Sequence, residues 1–347
     1  MSIIKNNKET KKVSVILTIY GLDYSNKIES VLKSIKEQTI NTEIIIVEQG
    51  LCVNKLVRDF CIKHDIKYIL TLPDIEDGNT RYNIGRVRNI GACLSSGEYL
   101  YFTDIDILIH NKNYLENLLN YCLKNDIALF RPKMRRLTKE TSNSFTKDYL
   151  NNKSIDFREK ENICLVDYDK NSNSIEVIND KENYCIINNL PHVIAKNIFK
   201  KGVSYEFNSS KIEDFHWQTT FHCGGIFCSF EQFLKVGGFC ENYHNWGLED
   251  IDFQRKLNET IGLQLIDNII PENSILHFEH LGRYDNKIYL INRVIFENRM
   301  KQGITQLCEQ DISNTDTFIG GFIQGNIDYL KSFFSKNYIL ENELRKI

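Results

Sequence analysis

Asp104 and Asp106 stand one residue apart at the end of an apolar run, in "YLYFTDIDIL", residues 99–108. A carboxylate is costly to bury unless a cation or a hydrogen-bond donor meets it. Two carboxylates on an extended or turning segment can aim at one point. A hard divalent cation such as Mn2+ or Mg2+ takes oxygen ligands of this kind and keeps positions open for phosphate oxygens. A bare Asp-x-Asp is also how a solvated strand end reads, so the pair needs further groups around it. "NWGLEDIDFQRKL", 245–257, supplies Glu249, Asp250 and Asp252 behind Trp246 and Gly247. Acids in the first turn of a helix are favoured by its dipole, which accounts for Glu249 and Asp252 with no further role. Three acids behind a Trp-Gly turn can also place one carboxylate in a cleft beside an aromatic platform of the kind sugars bind through their C–H faces. There it would act as general base on a hydroxyl. In "ILHFEHLGR", 275–283, His277 and His280 follow an apolar stretch three residues apart. They read as ligands for the cation of the Asp-x-Asp pair. Cys223 and Cys228 beside His222 match no common zinc spacing.

These groups need a scaffold that brings 104–106, 249–252 and 277–280 to one place. Residues 13–19, "VSVILTI", and 43–47, "EIIIV", are apolar without alternation, as in strands buried on both faces of a parallel sheet. "IKYIL", 66–70, and "EYLYFT", 98–103, read as two more strands. Between them Ile28, Val31, Leu32 and Ile35 recur at helical spacing, as do Leu56, Val57, Phe60 and Cys61, and then Val87, Ile90, Gly91 and Leu94. Such alternation predicts right-handed βαβ units and a mostly parallel sheet flanked by helices. Ligands in these sheets gather at the carboxyl ends of the strands, where Asp104 and Asp106 fall. Residues 138–185 are rich in Asn, Lys, Ser, Asp and Glu and read as an insertion or a mobile region. Apolar character returns at "FHCGGIFCSF", 221–230, and 326–347 reads as a terminal amphipathic helix. The expected divisions are 1–132, 133–220, 221–300 and 301–347.

The chain has 347 residues, 42% hydrophobic and 26% charged, with a formal net charge of −3. No global basic field favours nucleic acid, and "RPKMRRL", 131–137, is too short a basic cluster to change that. No stretch reaches the ~20 apolar residues of a membrane span, and "MSIIKNNKETKK" lacks the apolar core of a secretory signal. The expected location is cytoplasmic, with a peripheral position at the inner membrane surface compatible. Ten scattered cysteines without a CxxC pair read as reduced thiols.

Six segments in order carry a resemblance: "VSVILTIYG", "EIIIVEQG", "RVRNIGACLSSGEYLYFTDID", "CGGIFCSFEQFLKVGGF", "WGLEDIDFQRKL" and "HFEH". Over about 13–110 and 221–300 the chain resembles the GT-A glycosyltransferases. Its first half is similar to family 2, and its second half to the galactosyltransferase and chondroitin-polymerase type. The resemblance implies a Rossmann-like GT-A fold with a C-terminal acceptor-side subdomain, and a UDP-sugar as donor with Mn2+ or Mg2+. Thr18 and Tyr20 would line the uridine pocket, Glu48 would contact uracil or ribose with Gln49 in place of a second acid, and Arg88 would contact the nucleotide or its diphosphate. Asp106 would bind the metal directly, Asp104 would touch ribose or metal, and His277 and His280 would complete the metal shell. Gly224 and Gly225 would admit the donor sugar, Trp246 would shape the acceptor site, Glu249 would grip hydroxyls and Asp250 would be the catalytic base of an inverting transfer. The acceptor would be a glycan, a lipid-linked intermediate or a peptide.

Other classes fit less well. A haloacid-dehalogenase-like phosphatase carries its Asp-x-Asp at the first strand with Thr or Val two residues on, whereas Leu108 stands there and three strands precede it. No GxGxxG follows the first strand, as a dinucleotide oxidoreductase requires. Retaining relatives tend to carry Asn at the position of Asp250. A non-catalytic sugar-nucleotide-binding relative would have had no need of the Asp-x-Asp, Asp250 and both histidines together.

Overall fold

The computed structural model describes residues 13–20, 25–76, 78–137, 139–151, 222–245, 247–266, 269–270, 274–278 and 286–339, with four strand segments between 164 and 219. The first half alternates as predicted. Strand β1 (Val13–Tyr20) leads to α1 (Ser25–Lys36), β2 (Thr42–Gln49), α2 (Lys55–Lys63) and β3 (Lys67–Thr71). A short hairpin, β4 (Asp74–Glu76) and β5 (Asn79–Arg81), precedes α3 (Ile84–Cys93), β6 (Tyr99–Asp104) and β7 (Ile107–Ile109). Then come α4 (Tyr114–Asn125), β8 (Ala128–Phe130), β9 (Met134–Arg136) and α5 (Lys139–Leu150). β10 (Cys164–Asp169), β11 (Ser174–Val177), β12 (Cys185–Asn188) and β13 (Gln218–Thr219) form a separate four-stranded sheet. The second half adds β14 (Ile226–Ser229), α6 (Phe230–Lys235), α7 (Glu249–Thr260), β15 (Leu263–Leu265) and β16 (Ile275–His277). It closes with α8 (Asn286–Met300), α9 (Ile304–Ser313), α10 (Phe318–Ile323), α11 (Ile327–Lys336) and β17 (Tyr338–Ile339).

The main sheet has eight strands in the order β15-β8-β14-β6-β1-β2-β3-β17. β6, β1, β2 and β3 run parallel, and β14 is antiparallel to both β6 and β8. Successive residues of a strand face opposite sides, so β1 splits its apolar run between two cores. Val13, Val15, Leu17 and Ile19 pack with Ile28, Val31, Leu32 and Ile35 of α1 and with Val57 and Cys61 of α2. Ile16 packs with Val87 and Ile90 of α3 and with Phe253 and Leu257 of α7. This second layer holds α3 and α7 side by side over the carboxyl ends of β1 and β6.

Three expectations need correction. Leu56, read as part of the inward stripe of α2, is 72% exposed, while Val57 and Cys61 carry the packing. The 138–185 stretch holds an ordered helix: Phe145 of α5 is fully buried, its ring 6.0 Å from Phe278, and Lys33 of α1 donates to the Tyr149 carbonyl at 2.9 Å. Its polar composition hides α5 because one aromatic face suffices to dock a short helix on α1. The terminal helix stops at Lys336, and β17 then adds antiparallel to β3, extending the sheet.

A buried charge cluster locks α7 to the C-terminal helices. Arg299 of α8 forks onto Asp252 (2.9–3.2 Å) and Asp311 (2.8 and 3.1 Å), and Lys256 pairs with Asp311 and donates to the Gly238 carbonyl at 2.6 Å. Asp252 and Lys256 are fully buried. Among the described residues, Cys240, Asp252 and Asp311 form the one set of three metal-ligand types within 4.8 Å of each other, but the two cationic side chains already neutralise it. Asp311→Ala leaves two buried cations facing one carboxylate. It is expected to lower unfolding free energy by about 3–5 kcal/mol in urea titration, with the slope unchanged. Among the described residues no helix is long and apolar enough to cross a membrane.

Candidate active site

The register of the parallel strands assembles the site. Thr18 of β1 lies opposite Asp104 of β6 on one face of the sheet, while Glu48 of β2, opposite Ile19, stands at its strand's carboxyl end on the other face, toward Tyr68. Thr18 donates to Asp104 Oδ1 at 3.4 Å. Arg88, on the sheet-facing side of α3, is 3% exposed with its guanidinium 5.2 Å from the centre of the Phe239 ring. One terminal nitrogen lies 3.4 Å from Asp104 Oδ1 and the other 3.0 Å from Glu249 Oε1. The Asp-x-Asp strand and the acidic helix turn are therefore joined through one buried cation.

α3 is set by its N-cap. The Asn83 side chain accepts from the Arg86 N–H at 2.8 Å and donates to the Glu241 carbonyl at 2.6 Å, while Gln49 Oε1 accepts from the Asn83 N–H at 2.6 Å. Gln49 thus braces the helix that carries Arg88. Asn89 bonds the backbone of Phe239 in both directions at 2.8 Å, which fixes the second half of the chain against the first.

α7 starts without a side-chain cap. Leu248, its N-cap, has φ of +81° and Gly247 has φ of +106°. A buried leucine in the left-handed region is strained by roughly 1–3 kcal/mol, held here by packing among Cys240, Tyr243 and Tyr289. The turn brings Glu249 inward, 5% exposed, and leaves Asp250 half-buried beside it. Asp250 Oδ1 accepts from the Ile251 N–H at 2.8 Å. Asp252, one turn deeper, belongs to the Arg299 cluster. The first-turn acids thus divide between site and scaffold, and Glu249 is more than a dipole-favoured acid.

Burial, followed by the charge of Asp250, pushes the Glu249 carboxyl up to about 7, with Arg88 opposing. For Asp104, burial is outweighed by the fields of a charged His222 and of Arg88, which hold it below the usual carboxylate range. Burial also lowers His222 against its carboxylate neighbours. Arg88 sets a permanent positive charge beside Asp104. Because Glu249 holds its proton more tightly folded than unfolded between the ordinary 4.5 and about 7, its contribution to stability falls as pH rises through that window. Glu249→Gln is expected to flatten the decline of Tm between pH 5 and pH 7, as read by calorimetry in the two proteins.

Asp106, 5% exposed, lies in the two-residue turn between β6 and β7, and the Phe278 N–H donates to its carbonyl at 2.9 Å. β16 pairs with β7 so that His277 lies opposite Ile107, which brings His277 Nε2 to 3.8 Å from Asp106 Oδ2. That separation is too long for a hydrogen bond. It falls between the roughly 3.0 and 4.2 Å expected of adjacent and opposite ligands on an ion with bonds of about 2.1 Å. Two carboxylates and an imidazole are donor types that Mn2+ or Mg2+ takes, but among the described residues no three of these groups bring ligand atoms within 4.8 Å of one another.

The remaining expected residues fall as follows. Tyr20 ends β1 with its ring 5.3 Å from Tyr82. Glu48 is 4% exposed and accepts from the Tyr68 hydroxyl, and burial raises its pKa. Gly224 packs against the cluster: a Cβ there would stand 2.7 Å from an Arg88 nitrogen, and one on Gly225 would stand 2.6 Å from the Pro132 ring. Trp246 and His280 lie outside the described residues. Sequence reasoning passed over His222 as a residue of this site. The structure puts it 3.8 Å from Asp104, and its position two residues before the Gly-Gly pair was the available signal. Cys228 faces the apolar layer of β14 and does not join it.

A family model described as the N-terminal domain of galactosyltransferase matches residues 205–281. The chain is 25% identical over 256 residues to the chondroitin synthase of Pasteurella multocida (strain Pm70), covering 71% of this chain and 23% of that protein. The chain therefore spans under a quarter of that relative's length. Among solved structures it is similar to S. aureus TarS 1–349 in complex with UDP-GlcNAc, at 14% identity, TM-score 0.46, with 93% of this chain and 73% of that one covered. It is also similar to the mannosyltransferase PcManGT from Pyrobaculum calidifontis in complex with GDP-Man and Mn2+, at 14% identity, TM-score 0.43, with 92% and 74% covered.

Proposed function

We propose that this relative of the GT-A glycosyltransferases moves a hexose or N-acetylhexosamine from a UDP-sugar to a hydroxyl of a glycan, lipid-linked or peptide acceptor, with inversion at the anomeric carbon. The observation that carries the reading is the Arg88 fork, which binds the Asp-x-Asp strand and the Glu249–Asp250 turn into one site at the carboxyl ends of the strands. The matches to galactosyltransferase and chondroitin synthase sequences support the reaction class.

Each residue has a distinct task. Thr18 and Arg88 fix Asp104 in one orientation. Asp104, Asp106 and His277 would hold the divalent cation, with His280 a further expected ligand. When bound, such a cation would supply positive charge to the diphosphate leaving group. The Thr18–Tyr20 end of β1 and the Glu48 end of β2 would receive the nucleoside. Asp250, half-buried at the helix turn, takes the proton of the acceptor hydroxyl during attack. Glu249, buried and tied to Arg88, presents its second oxygen to donor or acceptor hydroxyls. Attack opposite the leaving group turns an α-linked donor into a β-glycoside. Proton NMR of the product anomeric signal, with the donor found by a UDP-sugar panel, tests this directly. A β-linked product from an α-linked donor is expected, and an α-linked product would indicate a retaining transferase. Builders of surface polysaccharide are the kind of system in which such a transferase would serve.

A further inference from the structure

Gln49 stands where the resemblance has a second acid, and its surroundings call for an amide. It ends β2 and is 1% exposed. Alternation along β2 puts it on the face of Ile45 and Val47, which pack with Val87 and Ile90 of α3. Its side chain meets two backbone groups of opposite character. Oε1 accepts from the Asn83 N–H at 2.6 Å, and Nε2 donates to the Leu72 carbonyl at 3.2 Å. The amide cannot be turned round, because the N–H needs an acceptor and the carbonyl needs a donor. An ionised carboxylate has only acceptors. An acid here would therefore set two buried oxygens against each other with no proton between them. The next link is Asn83, 2% exposed, whose side chain caps α3 at the Arg86 N–H and donates to the Glu241 carbonyl. The helix is then pressed close on two sides. A Cβ on Gly85 would stand 2.6 Å from the Cys240 carbonyl oxygen, and one on Gly91 would stand 2.6 Å from Ile16 Cγ2. A helix packed this tightly passes a displaced N-terminus along its length instead of absorbing it, and Arg88 lies between those two contacts.

We propose that Gln49 is a positioning residue for Arg88 and does not read the nucleotide base. Its amide holds the cap of α3, and through that helix the guanidinium that spans Asp104 and Glu249. This rests on the reading of that site as the place of sugar transfer from a nucleotide donor.

The test compares Gln49→Glu and Gln49→Met in the full chain. Urea unfolding checks the fold, nucleoside-diphosphate release reads turnover, and calorimetric titration with UDP and with CDP, which differ only in the base, reads base recognition. Both variants are expected to lower kcat about tenfold to a hundredfold and to leave the ratio of UDP to CDP affinity within about twofold. In an Arg88→Met background the same changes are expected to cost less than about twofold more, because residues of one network do not act additively. Unchanged kcat in the folded variants would overturn the assignment of Gln49 while leaving the reaction reading intact. A lost preference between UDP and CDP would show that Gln49 reads the base, and losses that multiply with Arg88→Met would show that it does not act through Arg88; either result overturns the assignment. No donor turnover by the unaltered chain would overturn the reaction reading and this assignment with it. Should Gln49→Glu not fold, Gln49→Met carries the same comparison, since it removes both hydrogen bonds without adding a charge.

Discussion

Asp250→Asn is expected to lower kcat by about 10²–10⁴ while UDP affinity stays within about twofold of the unaltered protein. Asparagine keeps the shape of the side chain and can still accept from the Ile251 N–H, as Asp250 Oδ1 does, but it cannot take a proton from an acceptor hydroxyl. The effect therefore belongs to the chemical step. Slow hydrolysis of the donor by water is expected to fall less than transfer, since the proposed donor activation at Asp104 and Asp106 would be untouched. Steady-state kinetics with a UDP titration by calorimetry separates the two. A loss of UDP binding equal to the loss of turnover would mean that Asp250 positions the donor rather than serving as base.

Arg88→Met is expected to lose activity by at least about 10²-fold and to destabilise the fold by about 3 kcal/mol. The guanidinium is 3% exposed and is the shared partner of Asp104 and Glu249. Without it Glu249 stays protonated to higher pH, which limits the stability loss, while Asp104 loses the charge that orients it. Arg88→Lys distinguishes charge from shape. One ammonium cannot fork toward two carboxylates on different elements, so stability should recover in part and activity should not. Chemical unfolding and donor turnover on the two variants check this. Full activity in Arg88→Lys would show that charge alone suffices.

Much of the scaffold was legible because parallel strands buried on both faces write unbroken apolar runs. "VSVILTI" and "EIIIV" became β1 and β2, and the helical stripes of α1 and α3 packed as their spacing indicates. The limits have physical causes. α5 docks through Phe145 and Tyr149 on α1 within an otherwise polar stretch, too few apolar residues to register as a pattern. Leu56 faces outward because α2 needs only Val57 and Cys61 for contact. β17 is two residues long and owes its place to the open edge of β3.

At the site, the motifs announced residue types but not their partners. That Arg88 joins Asp104 to Glu249 depends on α3 and α7 sharing one layer, a fact carried by residues such as Ile90 and Phe253 rather than by either motif. Asp252 looked like its neighbours Glu249 and Asp250, yet helical geometry turns it toward Arg299. His222 carried no signal beyond its place before two glycines, since its approach to Asp104 depends on the turn that folds it back.

The most direct measurement is nucleoside-diphosphate release from a panel of UDP- and GDP-sugars, with Mn2+ or with EDTA, in the unaltered protein and in Asp106→Asn. Slow release from one UDP-sugar, lost with EDTA and lost in Asp106→Asn, is the predicted result. Release that persists undiminished in EDTA and in Asp106→Asn would contradict a cation-assisted transfer centred on the Asp-x-Asp pair.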